Sequence, residues 1–123
     1  MDTVAIVTAQ QAQAYGAACV ATVGATPGLV SQSVAPVLPA GMLPPVDAGC
    51  MAVVNSSGGR DVYGYMRVAP GASASLLGTS QGSRAWFRIE SQGSAINIAT
   101  GVAHTVPSSL PVGALVHWIQ LNT

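Results

Sequence analysis

SRAWFRIE (residues 83–90) is the stretch that most clearly indicates a β-strand in this chain. Side chains alternate between the two faces of a strand, so residues two apart share a face. One face of this stretch is apolar and the other combines an aromatic ring with charges: Ala85, Phe87 and Ile89 on the first, Arg84, Trp86, Arg88 and Glu90 on the second. The pattern predicts a strand with its apolar face toward a core.

The stretch RDVYGYMRV (residues 60–68) repeats the same design. Its apolar face carries Val62, Gly64, Met66 and Val68, and its outer face carries Asp61, Tyr63, Tyr65 and Arg67. If the two strands share a sheet, their outer faces merge into one patch of Tyr, Trp and Arg, the residue types enriched at protein interfaces. Three interpretations of this patch stay open: a solvated face, a contact with a protein partner, and a platform on which a sugar stacks.

Further short strands are predicted around these two. They are CMAVV (50–54), AINIA (95–99), VAHTV (102–106) and GALVHWIQL (113–121), separated by turns rich in Gly, Pro and Ser. Such a series predicts a mainly β fold, a small antiparallel β-sandwich or barrel. The last strand is apolar on both faces, which predicts burial on both sides, by the N-terminal part of the chain or by a second subunit.

The N-terminal third has a different composition. Residues 3–46 contain no Lys, Arg, Asp or Glu, and prolines recur from Pro27 onward. Proline excludes a helix interior and favours extended backbone. We therefore predict an extended N-terminal arm over residues 1–46, with a possible short helix near residues 8–15 that Gly16 weakens, followed by a β domain over residues 47–123. Such an arm is expected to lie on another surface, that of its own domain or of a neighbour.

The composition indicates association. Charged residues make up 7% of the chain and lysine is absent, whereas an ordinary soluble domain has roughly 25%. A surface with so little charge is most simply covered by copies of the same chain, and we expect an oligomer. The candidate interface residues are Tyr63, Tyr65, Arg67, Arg84, Trp86, Arg88 and Trp118 in the β domain, and Pro36, Leu38, Met42 and Leu43 in the arm.

Several other classes of protein are disfavoured. Four arginines at zero net charge do not supply the clustered cations that a phosphate backbone requires. The most apolar window, residues 14–30, is too short and too rich in Ala, Gly and Thr for a spanning helix, and no basic residue precedes an apolar N-terminal core as in a secretory signal. Two cysteines do not make a disulfide scaffold, and we expect Cys19 and Cys50 to be free buried thiols rather than a bonded pair.

Two motifs suggest chemistry without supporting it. GTSQG (78–82) matches the nucleophile elbow of hydrolases, with Ser80 as nucleophile, but a strand pattern follows where the elbow needs a helix. His104 and His117 together with the two cysteines number four potential zinc ligands, yet none has the close paired spacing of structural zinc sites. We expect no enzyme activity, no cofactor and no metal.

In its general character the chain resembles the small accessory proteins of tailed-phage virions, in particular capsid decoration (cement) proteins. The resemblance rests on VAPVLPAGMLPPVD (34–47) as an arm, on short strands bounded by Gly and Ser, and on an alanine-rich body with little charge. It extends over the whole chain and carries no diagnostic motif.

The resemblance implies a β-rich homotrimer that is made in the host cytoplasm and sits on the outer capsid surface. There it would clamp neighbouring subunits of the major capsid protein, or another virion protein, through its arm. The alternative is a tail-fibre or baseplate module that binds a host surface glycan on Trp86, Tyr63 and Tyr65. Neither hypothesis involves nucleic acid or a membrane.

Overall fold

A computed structural model describes residues 3–38, 40–41, 47–55, 58–67 and 86–121 of the chain. Within these residues the chain forms one helix and six strands. They are α1 (Thr3–Gly24), β1 (Gly49–Val54), β2 (Arg60–Met66), β3 (Trp86–Ser91), β4 (Ser94–Asn97), β5 (Ala103–Thr105) and β6 (Leu115–Leu121).

The strands form a single antiparallel sheet in the order β1-β2-β6-β3-β4-β5. The prediction of a mainly β, antiparallel fold is confirmed. The sheet is not closed into a barrel, and helix α1 packs on one face of its β1, β2 and β6 half. In the described part of the chain, the helix takes the place of the second sheet that a sandwich would have.

Helix α1 covers 22 residues and is longer than the helix predicted near residues 8–15. Seven of its 22 residues are alanine and three are glutamine, both good helix formers, and it ends shortly before Pro27. Gly16, expected to weaken the helix, lies in its middle, where tertiary packing overrides its low intrinsic propensity. No helix in the described part of the chain is long and apolar enough to cross a membrane.

Helix α1 occupies residues that were predicted as part of an extended arm, and part of the segment that follows it lies on the sheet of its own chain. Ser31 pairs with Ala52 of β1 through two backbone hydrogen bonds of 3.0 and 2.8 Å, and the Val34 amide donates to the Cys50 carbonyl at 2.8 Å. Residues 42–46 lie outside the described residues. The division of the chain at residue 46 into an arm and a β domain therefore stays a prediction.

Two groups of buried side chains lie on opposite faces of the sheet. On the helix side, Cys19 and Val23 of α1 pack with residues such as Val62, Met66 and Trp86 of the sheet. On the other side, a second group includes Met51, Tyr63, Phe87, Ile89 and Val116. Strand β6 contributes the buried Leu115 to the first group and the buried Val116 to the second, as its two apolar faces predicted.

A disulfide joins the helix to the sheet. Cys19 of α1 and Cys50 of β1 are bonded, with their Cα atoms 5.7 Å apart, and both side chains are fully buried. The expectation of two free thiols is therefore wrong. Sequence reasoning missed the pair because 31 positions separate the two cysteines and no sequence pattern shows that the first lies on a helix folded over the second.

Candidate functional site

The predicted patch of Tyr, Trp and Arg does not form, because its residues lie on opposite faces of the sheet. Residues paired across adjacent antiparallel strands point to the same face. One row of paired residues runs Cys50, Gly64, His117 and Trp86, and the next runs Gly49, Tyr65, Val116 and Phe87. Trp86 therefore shares a face with the helix, while Tyr63 and Tyr65 occupy the other face.

Trp86 is buried and is not a free interface residue, which corrects its assignment as a surface candidate. Only 1% of it is exposed, and its ring packs against the His117 imidazole at 4.9 Å between centroids. The alternation along the strand was predicted correctly. The error was to take the charged set as the solvent face, since both faces of this sheet bury apolar side chains.

Of the three arginines predicted as interface residues, two are described by the structure and one is not. Arg67 and Arg88 are exposed, and each forms an ion pair, Arg67 Nε with an Asp47 carboxylate oxygen at 3.1 Å and Arg88 with Glu90. Arg84, Met42 and Leu43 lie outside the described residues. Exposed ion pairs contribute little to stability, so these two pairs chiefly leave the surface around them without net charge.

Tyr63 and Trp118 belong to an aromatic cluster on the face away from the helix. Tyr63 stacks on Trp118 at 5.5 Å, and Phe87 and His104 complete the cluster at centroid distances of 5.2 to 5.9 Å. Tyr63 and Phe87 are buried, Trp118 is half-buried and His104 is exposed. Burial, with the neighbouring Asp61 carboxylate, raises the pKa of Tyr63 far above its ordinary value. Only the Trp118 and His104 end of the cluster reaches the surface.

Helix and sheet pack closely against each other at Gly16. A Cβ atom there would lie 2.8 Å from the nearest His117 ring carbon, and the Gly16 Cα atom lies 3.3 Å from where a Cβ of Gly64 would be. Glycine is required at this crossing because any side chain would push the helix off the sheet. Burial lowers the pKa of His117 to about 4, and its Nδ1 atom is buried with no hydrogen-bond partner in the described part of the chain.

Arg60 is a buried cation that sequence reasoning did not assign. It is 3% exposed, and its guanidinium donates to the carbonyl oxygens of Val23, Thr26 and Leu29 at 2.8 to 3.4 Å. Helix α1 has no basic residue in its last turn, and cations are favoured at the carbonyl end of a helix. The signal was available, since Arg60 lies two residues before Val62 on the face that turns toward the helix.

A cavity of about 400 Å³ opens between the helix, β1 and the extended segment. Two of the predicted arm residues, Pro36 and Leu38, line it, and so does Tyr65. The other lining residues are Tyr15, Gln32, Ser33, Val34, Ala35, Ala48, Gly49 and Cys50. Of the predicted interface candidates, these three are the ones that the structure brings together around a concave surface.

The histidines and cysteines weighed as metal ligands are not brought together in the described part of the chain. GTSQG, with Ser80, lies outside the described residues. His104 and His117 lie on opposite faces of the sheet, and the two cysteines are used in the disulfide. No group of three or more His, Cys, Asp or Glu residues placed to hold a metal ion occurs among the residues with described positions.

Comparison with known proteins found no matching family model, no similar curated protein and no similar solved structure. Within the described residues, the fold is an open, six-stranded antiparallel sheet with one disulfide-linked helix on one face.

Proposed function

We propose that the protein is a non-enzymatic structural protein of a virion, of the capsid decoration type, which acts by associating with itself and with capsid subunits. The observation that carries this proposal is the outward face of helix α1. Gln11, Ala17, Ala21 and Gly24 are exposed there, and the whole helix contains no charged residue. A solvated helix normally presents charged and polar side chains to water.

The rest of the described surface supports the same proposal. Its exposed Arg, Asp and Glu side chains are consumed in two ion pairs, Arg67 with Asp47 and Arg88 with Glu90. Five valines are about half exposed or more: Val30, Val37, Val54, Val102 and Val112. A surface that offers valine and alanine, and whose fully exposed charges are paired, favours association over solvation.

The disulfide fits a protein that works outside a cell. Disulfides persist on virion surfaces and are rare in reducing cytoplasm. In this proposal the chain is made in the host cytoplasm, and the Cys19–Cys50 bond forms once the particle meets an oxidising environment. The bond would hold the helix on the sheet while the outward helix face contacts a neighbour.

Solution mass tests the association. Light scattering behind size exclusion is expected to give three times the 12.3 kDa of the chain, the trimer that the resemblance implies. Replacing Ala17 and Ala21 with Glu places two charges on the outward helix face without touching the core, and we expect a monomer. Thr100→Glu, in an exposed turn away from the helix, is the matched control and should leave the trimer intact.

Two results would overturn the proposal. A monomeric wild-type protein at high concentration would remove self-association as the role of the uncharged surface. An oligomer that keeps its mass in the Ala17→Glu, Ala21→Glu variant would show that the outward helix face is not the contact.

A further inference from the structure

The cavity beside the helix has walls that are fixed independently of one another. Tyr15 lies one helical turn from Cys19, whose disulfide attaches that turn to β1. The extended wall is held at two points, where the Val34 amide donates to the Cys50 carbonyl at 2.8 Å and the Val37 amide donates to the Thr22 hydroxyl at 2.9 Å. A cavity with fixed walls is preorganised, which lowers the entropy that a ligand loses on binding.

Tyr65 reaches the cavity across the edge of the sheet. A Cβ atom at Gly49 would lie 2.3 Å from the ring carbon that bears the Tyr65 hydroxyl and 2.3 Å from its oxygen. The ring therefore lies over β1 at the one position of that strand that has no side chain. Glycine at residue 49 is what brings the second phenol to the cavity that Tyr15 lines from the helix.

The polar groups of the cavity are all uncharged. They are the phenols of Tyr15 and Tyr65, the Gln32 amide and the Ser33 hydroxyl, and the described lining contains no Arg, Asp or Glu. Burial, and secondarily Tyr65, raises the pKa of Tyr15 above its ordinary value of 10.0, so this phenol stays neutral. In the described part of the chain, no hydrogen bond occupies the hydroxyl of Tyr15 or Tyr65.

The other side chains of the lining are largely aliphatic. They include Val34, Pro36, Leu38 and Ala48, and no charge in the described lining could balance an ionic ligand. A ligand that satisfies this lining carries several hydroxyl or amide groups together with carbon-bound hydrogens. The volume of about 400 Å³ lies at the small end of the range for ligand pockets, roughly 300–1,000 Å³.

From these observations we infer that the cavity lined by Tyr15, Tyr65, residues 32–36 and Leu38 binds an uncharged sugar of monosaccharide size. The two phenol hydroxyls, Gln32 and Ser33 hydrogen-bond the sugar hydroxyls, and the aliphatic side chains of the lining contact its carbon-bound hydrogens. This site differs from the predicted platform on Trp86, Tyr63 and Tyr65. That platform does not form, because Trp86 lies on the opposite face of the sheet from the two tyrosines. The inference goes beyond the structural role proposed above and does not depend on it.

The test is an NMR titration of the ¹⁵N-labelled full chain with glucose, galactose, mannose and N-acetylglucosamine, and with glucuronate as the charged comparison. At least one neutral sugar is expected to shift the amide signals of residues 33–35 and 48–50 in a saturable way. Glucuronate, which brings a carboxylate to a site whose described lining contains no cation, should bind at least fivefold more weakly than the best neutral sugar.

Variants separate the cavity from other contacts. Tyr65→Phe and Tyr15→Phe each remove one hydroxyl and keep the ring, and each is expected to weaken binding about fivefold, the equivalent of one hydrogen bond of about 1 kcal/mol. Tyr63→Phe is the matched control, because Tyr63 lies on the same strand as Tyr65 but packs in the aromatic cluster. It should bind the sugar as the wild type does.

Three outcomes would overturn the inference. The first is that none of the four neutral sugars shifts the cavity amides. The second is that glucuronate binds as tightly as the best neutral sugar. The third is that both phenylalanine variants bind with unchanged affinity. If one variant fails to fold, the other alone decides, and neither result alters the solution mass on which the proposed virion role depends.

Discussion

The two faces of the sheet are both buried, but by different means. The helix face is set by close contact: glycine meets an imidazole at Gly16, a disulfide joins Cys19 to Cys50, and Trp86 is enclosed. The other face is an aromatic cluster whose members stack at 5.2 to 5.9 Å and become exposed toward Trp118 and His104. Shape complementarity governs the first face, and adaptable ring packing governs the second.

This difference has a physical consequence for substitutions. A tightly packed interior cannot relax around a change of one methyl group, whereas a partly exposed cluster can. Changes under the helix should therefore be costly, and equivalent changes in the aromatic cluster should be milder.

The largest effect is expected from the two tryptophans. Trp86→Ala removes a fully buried ring and should lower the free energy of unfolding by about 4 kcal/mol. Trp118→Ala, in the half-buried cluster, should cost about 1–2 kcal/mol. Urea unfolding followed by circular dichroism measures both. Equal losses would show that the two faces are packed alike.

Removing the disulfide is expected to have the next largest effect. The bond closes a loop of 31 residues, for which the chain-entropy relation gives about 3–4 kcal/mol. The Cys19→Ala, Cys50→Ala variant should unfold at a correspondingly lower urea concentration. Wild-type protein unfolded in the presence of a reductant is the control and should match the variant. A thiol assay that finds two free cysteines in the untreated, denatured wild type would contradict the bond itself.

Acid is expected to act on the helix face through His117. Its pKa is lowered to about 4 in the folded protein from an ordinary value of 6.5, so between these values the unfolded chain binds the proton and the folded chain does not. Stability therefore falls as the pH drops from about 6.5 toward 4, by up to about 3 kcal/mol, and this contribution levels off below pH 4.

The variant His117→Phe keeps a ring beside Gly16 and Trp86 but cannot take up a proton. Both proteins have the same carboxylates, so the contribution of these groups cancels when the two unfolding free energies are subtracted. The remaining difference should therefore change with pH only between about pH 6.5 and 4. If the difference is constant from pH 7 to pH 4, His117 is not buried as described.

The smallest changes in unfolding free energy are expected from substituting the two glycines of helix α1, Gly16 and Gly24. Gly16→Ala gains about 1 kcal/mol of helix propensity but places a Cβ 2.8 Å from the His117 ring, so we expect a net loss of about 1–2 kcal/mol. Gly24→Ala meets nothing within 4 Å and should be neutral or stabilise by up to about 1 kcal/mol. Thermal unfolding measures the pair, and a stabilising Gly16→Ala would refute the close crossing.

The sequence alone allowed the strands after residue 48 to be predicted, because turn residues bound them and alternation marks their faces. Alternation shows that Trp86 and Phe87 point apart, but it does not show which of them a helix covers. That depends on the register with β6, in which His117 pairs with Trp86, and register is a long-range property.

The helix and the cavity were harder to predict for a related reason. An alanine-rich segment without a polar face lacks the periodic pattern that reveals an amphipathic helix. Glycine is needed at residue 16 because the His117 ring packs there, and His117 lies 101 positions later in the sequence. Tyr65 was predicted as an interface residue, but its partner Tyr15 carries no signal in the sequence. Only the folded chain brings the two phenols to one cavity.

Arg60 has a consequence for the order in which the chain acquires its structure. During synthesis, helix α1 leaves the ribosome first, yet the guanidinium that binds the Val23 carbonyl near its end, and the Thr26 and Leu29 carbonyls just after it, belongs to β2, 31 to 37 residues farther along. In proteins, most of the stability of a helix comes from tertiary packing and not from intrinsic propensity. We therefore expect the C-terminal end of the helix to be completed only when the β1–β2 hairpin has emerged and docked, and expect helix and hairpin to fold as one cooperative unit.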